Sequence, residues 1–142
     1  MKCISLHQPW ASWVAMGWKS IETRTHNRFR GLAGQRIAIH AAKKFDEYAI
    51  PHMAYLYLVA RGLWNYHADN PFALARGCIL CTVFVAKHRR ITAKDAPNAL
   101  CDCSGGGLYG LVFKDIQPLK YPHPGPGQQG IFDVHDEFFI YS

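Results

Sequence analysis

The sequence KCISLHQPWASWVAMGWKSIETR, residues 2–24, predicts a strand, a helix and a second strand in close succession. Apolar and polar residues alternate loosely from Lys2 to His7, which indicates a short strand that Pro9 closes. Pro9 also suits the first position of a helix of about two turns, and Gly17 suits its end. The second strand is expected at Ser20–Arg24.

The remaining pattern predicts more strands than helices. A longer helix is expected at Pro51–Leu63, and the small residues of Ala96–Gly107 predict a loop. Prolines between Pro122 and Gly127 argue against regular structure there. Further strands are predicted at Arg36–Ala41, Cys78–Ala86, Tyr109–Ile116, Ile131–Val134 and Glu137–Tyr141. Because strands and helices do not alternate, we expect an α+β fold: a small, mixed, mostly antiparallel β-barrel flanked by two or three helices.

Composition indicates an ordinary globular chain. Of the 142 residues, 49% are hydrophobic and 18% are charged, which excludes a disordered protein. We find no linker or repeat and therefore expect one domain spanning residues 1–142. An apolar membrane span and a secretory signal are both absent from the sequence, so we expect a cytoplasmic protein with no membrane partner.

Five cysteines raise the question of a metal site. Cys78 and Cys81 lie in a predicted strand, where residues three apart point to opposite faces and cannot bind one ion together. Cys101 and Cys103 lie in a predicted loop and can bind a metal with His88, but nothing in the sequence requires it. We therefore expect no metal and no other cofactor.

Positive charge is concentrated in one part of the chain. Seven of the 16 Lys and Arg residues lie between Lys19 and Lys44, where Glu22 is the only acid. This window accounts for the whole formal net charge of +6. Aromatic residues such as Trp10 and Phe29 flank or interrupt it. A cationic stretch with flat aromatic faces favours a nucleic-acid partner, RNA or DNA.

Six sequence blocks resemble the ASCH (activating signal cointegrator homology) domain family. In chain order they are SLHQPWA (residues 5–11), GWKSIETR (17–24), IHAAK (39–43), GCILCTV (77–83), YGLVF with the following PL (109–113 and 118–119) and GQQGIF (127–132). The resemblance implies a PUA-like β-barrel with a cleft that binds RNA or DNA. Family members include nucleic-acid binders, ribonucleases and an amidohydrolase that removes an acetyl group from modified cytidine.

The residues of a binding cleft follow from these blocks and from the basic window. Lys19 and Arg24 are expected on phosphate or a base edge, with Glu22 accepting from an exocyclic amine. We expect this cleft to take a single strand or a flipped or modified base, and we expect Lys19 and Glu22 to be exposed in it. The full predicted set is His7, Gln8, Trp10, Lys19, Glu22, Arg24, Arg28, Arg30, His40, Lys43 and Lys44.

Three alternatives to a binding module remain open. A metal-independent ribonuclease can use Lys19, Glu22 and His40 as catalytic residues. An amidohydrolase is the second alternative. In that branch of the family the motif resembles Lys-x-x-Thr, and this chain has Lys19 but carries Glu22 where that motif has threonine. A protein-docking module built on Tyr55 and Tyr57 does not need the basic window. A further alternative makes Glu22 and Arg24 a structural ion pair.

Overall fold

The structure is a computed structural model that describes residues 1–45, 53–63 and 74–142. Its strands are β1 (Lys2–Gln8), β2 (Ile21–Arg24), β3 (Arg36–Phe45), β4 (Cys78–Arg90), β5 (Tyr109–Pro124) and β6 (Phe132–Asp133). Its helices are α1 (Trp10–Ala15), α2 (Met53–Ala60) and α3 (Ala96–Ala99). No helix within these described ranges is long and apolar enough to cross a membrane.

The six strands form one mixed sheet in the order β2-β5-β4-β3-β1-β6. β1 and β3 run parallel, while the other neighbouring strands run antiparallel. The predicted α+β class with a mostly antiparallel sheet is therefore confirmed.

The sheet is not closed into the barrel that the sequence predicted. β2 and β6 are the two edges of the sheet, and no ladder joins them among the described residues. These strands have four and two residues, so neither offers a long edge for closure. The sheet bends all the same, because three register shifts interrupt the β4–β5 ladder and Asp115 has a φ of 49°.

Strand β5 corrects a second prediction, because it continues through Pro122 to Pro124. The amide of Lys120 and the carbonyl of Pro118 both bond to the C-terminal segment, on the side of β5 that faces away from β4. The amide of Gly125 donates towards β4, to the carbonyl of Gly77 at 3.2 Å, so the nitrogens of Pro124 and Pro122, an odd number of positions earlier, face the opposite side. The prolines therefore cost the β4 ladder no donor.

Other boundaries differ more modestly. The predicted loop Ala96–Gly107 begins with α3, and the predicted strand Glu137–Tyr141 is reduced to one isolated bridge between Leu119 and Tyr141. Of the predicted helix Pro51–Leu63, the described part is helical over Met53–Ala60.

A buried core between the sheet and α1 holds the site in place. Ile4 of β1, Ile39 of β3, Val83 of β4 and Val14 of α1 are all 0% exposed in this core. Trp13 is buried in a second cluster, which joins α1 to α2. The C-terminal end of α1 is therefore fixed against the sheet, and the residues that follow it enter the cleft described next.

Candidate nucleic-acid interface

A cleft of about 1320 Å³ opens between β1, β2, β3 and the loop that follows β5. Three of the eleven predicted residues, Gln8, Arg30 and Lys44, are not among those that line it. The other eight line the cleft together: His7, Trp10, Lys19, Glu22, Arg24, Arg28, His40 and Lys43.

Lys19 and Glu22 form the floor of this cleft. The Lys19 side chain is 2% exposed and that of Glu22 is 8% exposed, which corrects the prediction that both are exposed. Their Nζ and Oε1 atoms lie 3.9 Å apart. The Lys19 Nζ also donates a hydrogen bond to the carbonyl of Ala99 and lies 4.9 Å from the ring centroid of Trp10. The floor is thus an ion pair held largely away from water.

The turn after α1 explains why a lysine points inward. Gly17 has a φ of 78°, a left-handed conformation in which glycine ends helices. The amides of Trp18 and Lys19 then bond to the carbonyl of Trp13, at 2.9 and 3.1 Å. This turn reverses the chain below α1 and directs the Lys19 side chain towards the end of α3.

Burial lowers the pKa of the Lys19 ammonium, because removal from water disfavours its charged form. The carboxylate of Glu22 opposes this effect, and the positive charge of Arg24 adds to it. The lysine is therefore closer to losing its proton than a solvent-exposed lysine.

Glu22 keeps one oxygen available to a ligand. Its Oε1 accepts a hydrogen bond from the amide of Thr23 at 3.0 Å, whereas no described residue donates to its Oε2. No buried side-chain oxygen or nitrogen lacks a partner in the described structure, so Oε2 is open to the cleft. The alternative ion pair of Glu22 with Arg24 is not formed, since Glu22 pairs with Lys19.

The rim of the cleft is cationic. Arg24 donates to the carbonyl of Ser5 at 3.4 Å and lies 5.3 Å from the ring centroid of Phe29. Arg28 and Lys43 are exposed residues of the lining. Among the residues that line the cleft, these three cations face no carboxylate other than Glu22.

Arg36 shows that the basic window is not one continuous track. Its guanidinium is bound by the Asp115 carboxylate and also donates to Thr82 at 3.1 Å, so it belongs to the sheet rather than the cleft. Lys19 is likewise withdrawn into the floor. The charge available to a ligand is therefore smaller than the sequence suggested.

His40 lines the cleft as a fixed residue. Its Nε2 lies 2.8 Å from the carbonyl of Gly125, and its Nδ1 lies 3.1 Å from Ser5 Oγ. A carbonyl only accepts, so we assign the proton to Nε2, and in the neutral ring Nδ1 then accepts from the serine. Both ring nitrogens are occupied, which favours a positioning role over proton transfer.

Gly127 leaves no room for a side chain between the last loop and β3. A Cβ at this position would lie 2.6 Å from His40 Cε1 and 2.7 Å from Ser5 Oγ. Any larger residue therefore has to displace the loop or the imidazole. Glycine at this position lets the loop form one wall of the cleft.

Gln8 and Trp10 sit at the start of α1 with different roles. Gln8 is fully buried: its amide donates to Ser12 Oγ at 2.7 Å and to the carbonyl of Ala75 at 2.6 Å. Its Oε1 accepts from the Ser12 amide, so this N-terminal group of the helix is not free to meet a phosphate. Trp10 is half-buried in the lining and packs edge-on against Trp13, with the ring centroids 5.2 Å apart.

The sequence did not reveal the contribution of the loop after β5. Residues 125–131 all line the cleft, although the prediction placed only irregular chain and a family signature there. Two glycines and a proline in Gly125-Pro-Gly127 were the available signal, because such chain can pass close to another strand.

The cysteines do not form a metal cluster in the part of the chain that the structure describes. Cys101 lines the cleft with its Sγ 3.8 Å from that of Cys103, and both are free thiols. No group of three or more His, Cys, Asp and Glu residues within the described ranges has a metal-binding arrangement.

Comparison with known proteins identifies the family. The family profile described as the ASCH domain matches residues 4–110. No curated protein sequence matches the chain. Among solved structures, the ASCH protein from Zymomonas mobilis matches with a TM-score of 0.60 and 13% identity, over 96% of this chain and 88% of that chain.

Two variants of the Zymomonas mobilis protein give similar matches. A serine-to-alanine variant has a TM-score of 0.55 at 12% identity, over 96% of this chain and 89% of its own. A tyrosine-to-phenylalanine variant has a TM-score of 0.54 at 11% identity, over 96% and 91%. Identities this low establish a shared fold only, but the profile match covers most of the sequence. The chain therefore belongs to the ASCH domain family, which is generally associated with RNA or nucleic-acid interaction.

Proposed function

We propose that the cleft binds RNA or another single-stranded nucleic acid, with phosphates on its rim and one unpaired base on its floor. The observation that carries this proposal is the distribution of charge. Arg24, Arg28 and Lys43 surround a floor on which Glu22 is the only acid among the lining residues. Cations at a rim attract a phosphate backbone, while a recessed polar pair suits a base edge.

The floor can discriminate among bases. The free Oε2 of Glu22 can accept from an exocyclic amine, and the Lys19 ammonium can donate to a neighbouring carbonyl or ring nitrogen. Trp10, whose ring lies 4.9 Å from Lys19 Nζ, supplies an aromatic surface beside them. A base can reach this depth only after leaving its stack, so we propose a single strand or a flipped base as the ligand.

The salt dependence of binding tests the rim. Arg28→Ala and Lys43→Ala should each flatten the plot of log affinity against log salt by about 0.7 for every phosphate of a single strand that the side chain neutralises. Arg30→Ala and Lys44→Ala are matched controls, because these neighbours are exposed but lie outside the lining. Equal effects of all four substitutions would show that charge in general, and not this cleft, attracts the ligand.

Metal-independent RNA cleavage is the second candidate. The lowered pKa of buried Lys19 favours it, because an amine close to losing its proton is suited to acid-base chemistry beside the Glu22 carboxylate. Here Arg24 would hold the phosphate and His40 would position the last loop. In this proposal Lys19 and Glu22 carry the proton transfer, and His40 does not.

One experiment separates the two candidates. Labelled RNA and DNA, single- and double-stranded, are incubated with the protein, and retention and cleavage are scored in the same lanes. Retention without products favours the binder. Products that persist in EDTA and disappear when the scissile ribose is replaced by deoxyribose favour a ribonuclease that uses the 2′-hydroxyl.

A further inference from the structure

We propose that Arg24, Tyr109 and Arg90 form a phosphate-binding row that extends the cleft across the sheet. The inference rests on the function proposed above and specifies its ligand. A row of this kind binds a polynucleotide of several residues, because a free nucleoside held on the cleft floor has no phosphate to place on it.

Strand register places the three side chains on one face of the sheet. Arg24 of β2 is paired with Tyr109 of β5, and Tyr109 is paired in turn with Arg90 of β4. Directly paired residues on neighbouring strands point to the same face. With strands about 4.8 Å apart, the row reaches about 10 Å from the cleft rim at Arg24 to Arg90.

Tyr109 holds the guanidinium of Arg90 in a defined position. The guanidinium carbon lies 5.1 Å from the tyrosine ring centroid, and one of its nitrogens donates to the tyrosine hydroxyl at 3.3 Å. His88 stacks on the same ring with 5.6 Å between centroids and 11° between planes. Arginine has five N–H donors, so this arrangement leaves donors free in a pre-organised group.

The neighbouring arginine provides an internal contrast. Arg89 is held by Asp95 through two hydrogen bonds of 2.8 and 2.9 Å, so its charge is already compensated. Among the described residues, no carboxylate forms an ion pair with Arg90. Of these two adjacent cations, Arg90 is the one available to an external anion.

His26 links the row to the cleft. Partial burial lowers the pKa of this histidine, and the charges of Arg28, Arg24 and His88 lower it further. Charged groups of the cleft rim and of β4 therefore act on the same imidazole. Such a gathering of like charge is unfavourable by itself, and a polyanion that crosses it would relieve the repulsion.

Arg90→Ala tests the row with two probes, a single-stranded RNA of about three nucleotides and one of about eight. We expect the longer probe to lose about 0.7 from its salt slope and at least threefold in affinity at low salt. The shorter probe, which fills only the cleft, should bind the variant and the wild type equally.

Lys114→Ala is the matched control. Lys114 is an exposed cation of β5 that also lies over an aromatic ring, that of Phe84 on β4 at 6.0 Å, but it is outside the cleft lining. The row is rejected if Arg90→Ala leaves the longer probe unchanged, if Lys114→Ala has the same effect, or if both probes bind the wild type with one slope. If neither probe binds the wild type, the proposed function fails and the row fails with it.

Discussion

Two ion pairs lie at opposite ends of the short helix α3, and they are built in opposite ways. At its start, Asp95 receives two short hydrogen bonds from Arg89 and a third from a backbone amide. At its end, Lys19 reaches the carbonyl of Ala99 and approaches Glu22 only to 3.9 Å. The Arg89–Asp95 pair is joined by two hydrogen bonds and is partly exposed, whereas the Lys19–Glu22 pair is buried and its charged atoms are too far apart for a hydrogen bond.

This contrast separates stability from function. Short bidentate hydrogen bonds stabilise the charged forms of both partners, so the Arg89–Asp95 pair should stabilise the corner between β4 and α3. A buried pair with poor geometry does not recover the cost of removing two charges from water. The Lys19–Glu22 pair therefore contributes little net stability, and its unused Oε2 remains available to a ligand.

The largest effect is expected when the buried pair is broken from one side. Glu22→Ala leaves a buried ammonium without its carboxylate and should cost about 3 to 5 kcal/mol of unfolding free energy at about pH 7. The pKa of Lys19 is lowered in the folded state, so the unfolded chain binds more protons and stability should rise with pH up to its unfolded value of 10.5. Denaturant unfolding at about pH 7 and about pH 9.5 measures both effects.

The double variant Lys19→Met/Glu22→Gln is the control for that experiment. It removes both charges at similar volume and should recover most of the stability lost in Glu22→Ala. A double variant as unstable as the single one would mean that the pair is a structural element like the pair at Asp95.

Asp95 should give the next largest effect. Hydrogen bonds from the Arg89 side chain, and then from the Thr92 amide, lower its pKa from 3.8 to about 2. A lowered carboxyl pKa adds stability above the unfolded value, which is lost as pH falls from about 4 to about 2. Asp95→Asn should cost about 2 kcal/mol at neutral pH and flatten the stability profile in this acid window.

The exposed ion pair of Lys2 and Asp133 is the control for this prediction. It spans 3.0 Å, but its side chains are 46% and 75% exposed. Asp133→Asn should change the unfolding free energy much less than Asp95→Asn does, because solvent screens an exposed pair. Equal losses of stability in Asp133→Asn and Asp95→Asn would show that the two hydrogen bonds from Arg89 add nothing beyond an exposed ion pair.

A substitution in the cleft wall should cost less stability than the substitution of Glu22 or Asp95. Gly127→Ala places a Cβ against His40 and Ser5 and should cost about 1 kcal/mol while weakening RNA binding, because the loop must move. Gly125→Ala is the matched control, since a Cβ there meets nothing within 4 Å. Thermal unfolding and RNA titration of both variants measure these effects. Similar results for Gly127→Ala and Gly125→Ala would contradict the idea that the lack of space at Gly127 shapes the cleft.

The early elements were predictable because their causes are local. Alternation in Lys2–His7, the proline at position 9 and the glycine at position 17 predicted β1 and α1 within one or two residues. The length of β5 was not predictable from its prolines, because their compatibility depends on which side of the strand lacks a partner.

The site was predictable in residue type but not in burial. The spacing of Lys19, Glu22 and Arg24 indicated a polar cluster, and all three line the cleft. The sequence could not show that the carbonyl of Ala99, 80 positions away, accepts from Lys19 and helps to withdraw it from water. The loop wall at Gly127 likewise depends on a long-range approach to His40.

The affinity of the Lys19→Met/Glu22→Gln variant for single-stranded RNA tests the central claim most directly. The rim cations stay in place, so only the two charges of the floor are removed. We predict a protein that unfolds cooperatively near the wild-type Tm and binds RNA at least about tenfold more weakly, the value of one good base contact. Wild-type affinity in a folded double variant would contradict the claim, because the rim alone would then account for binding.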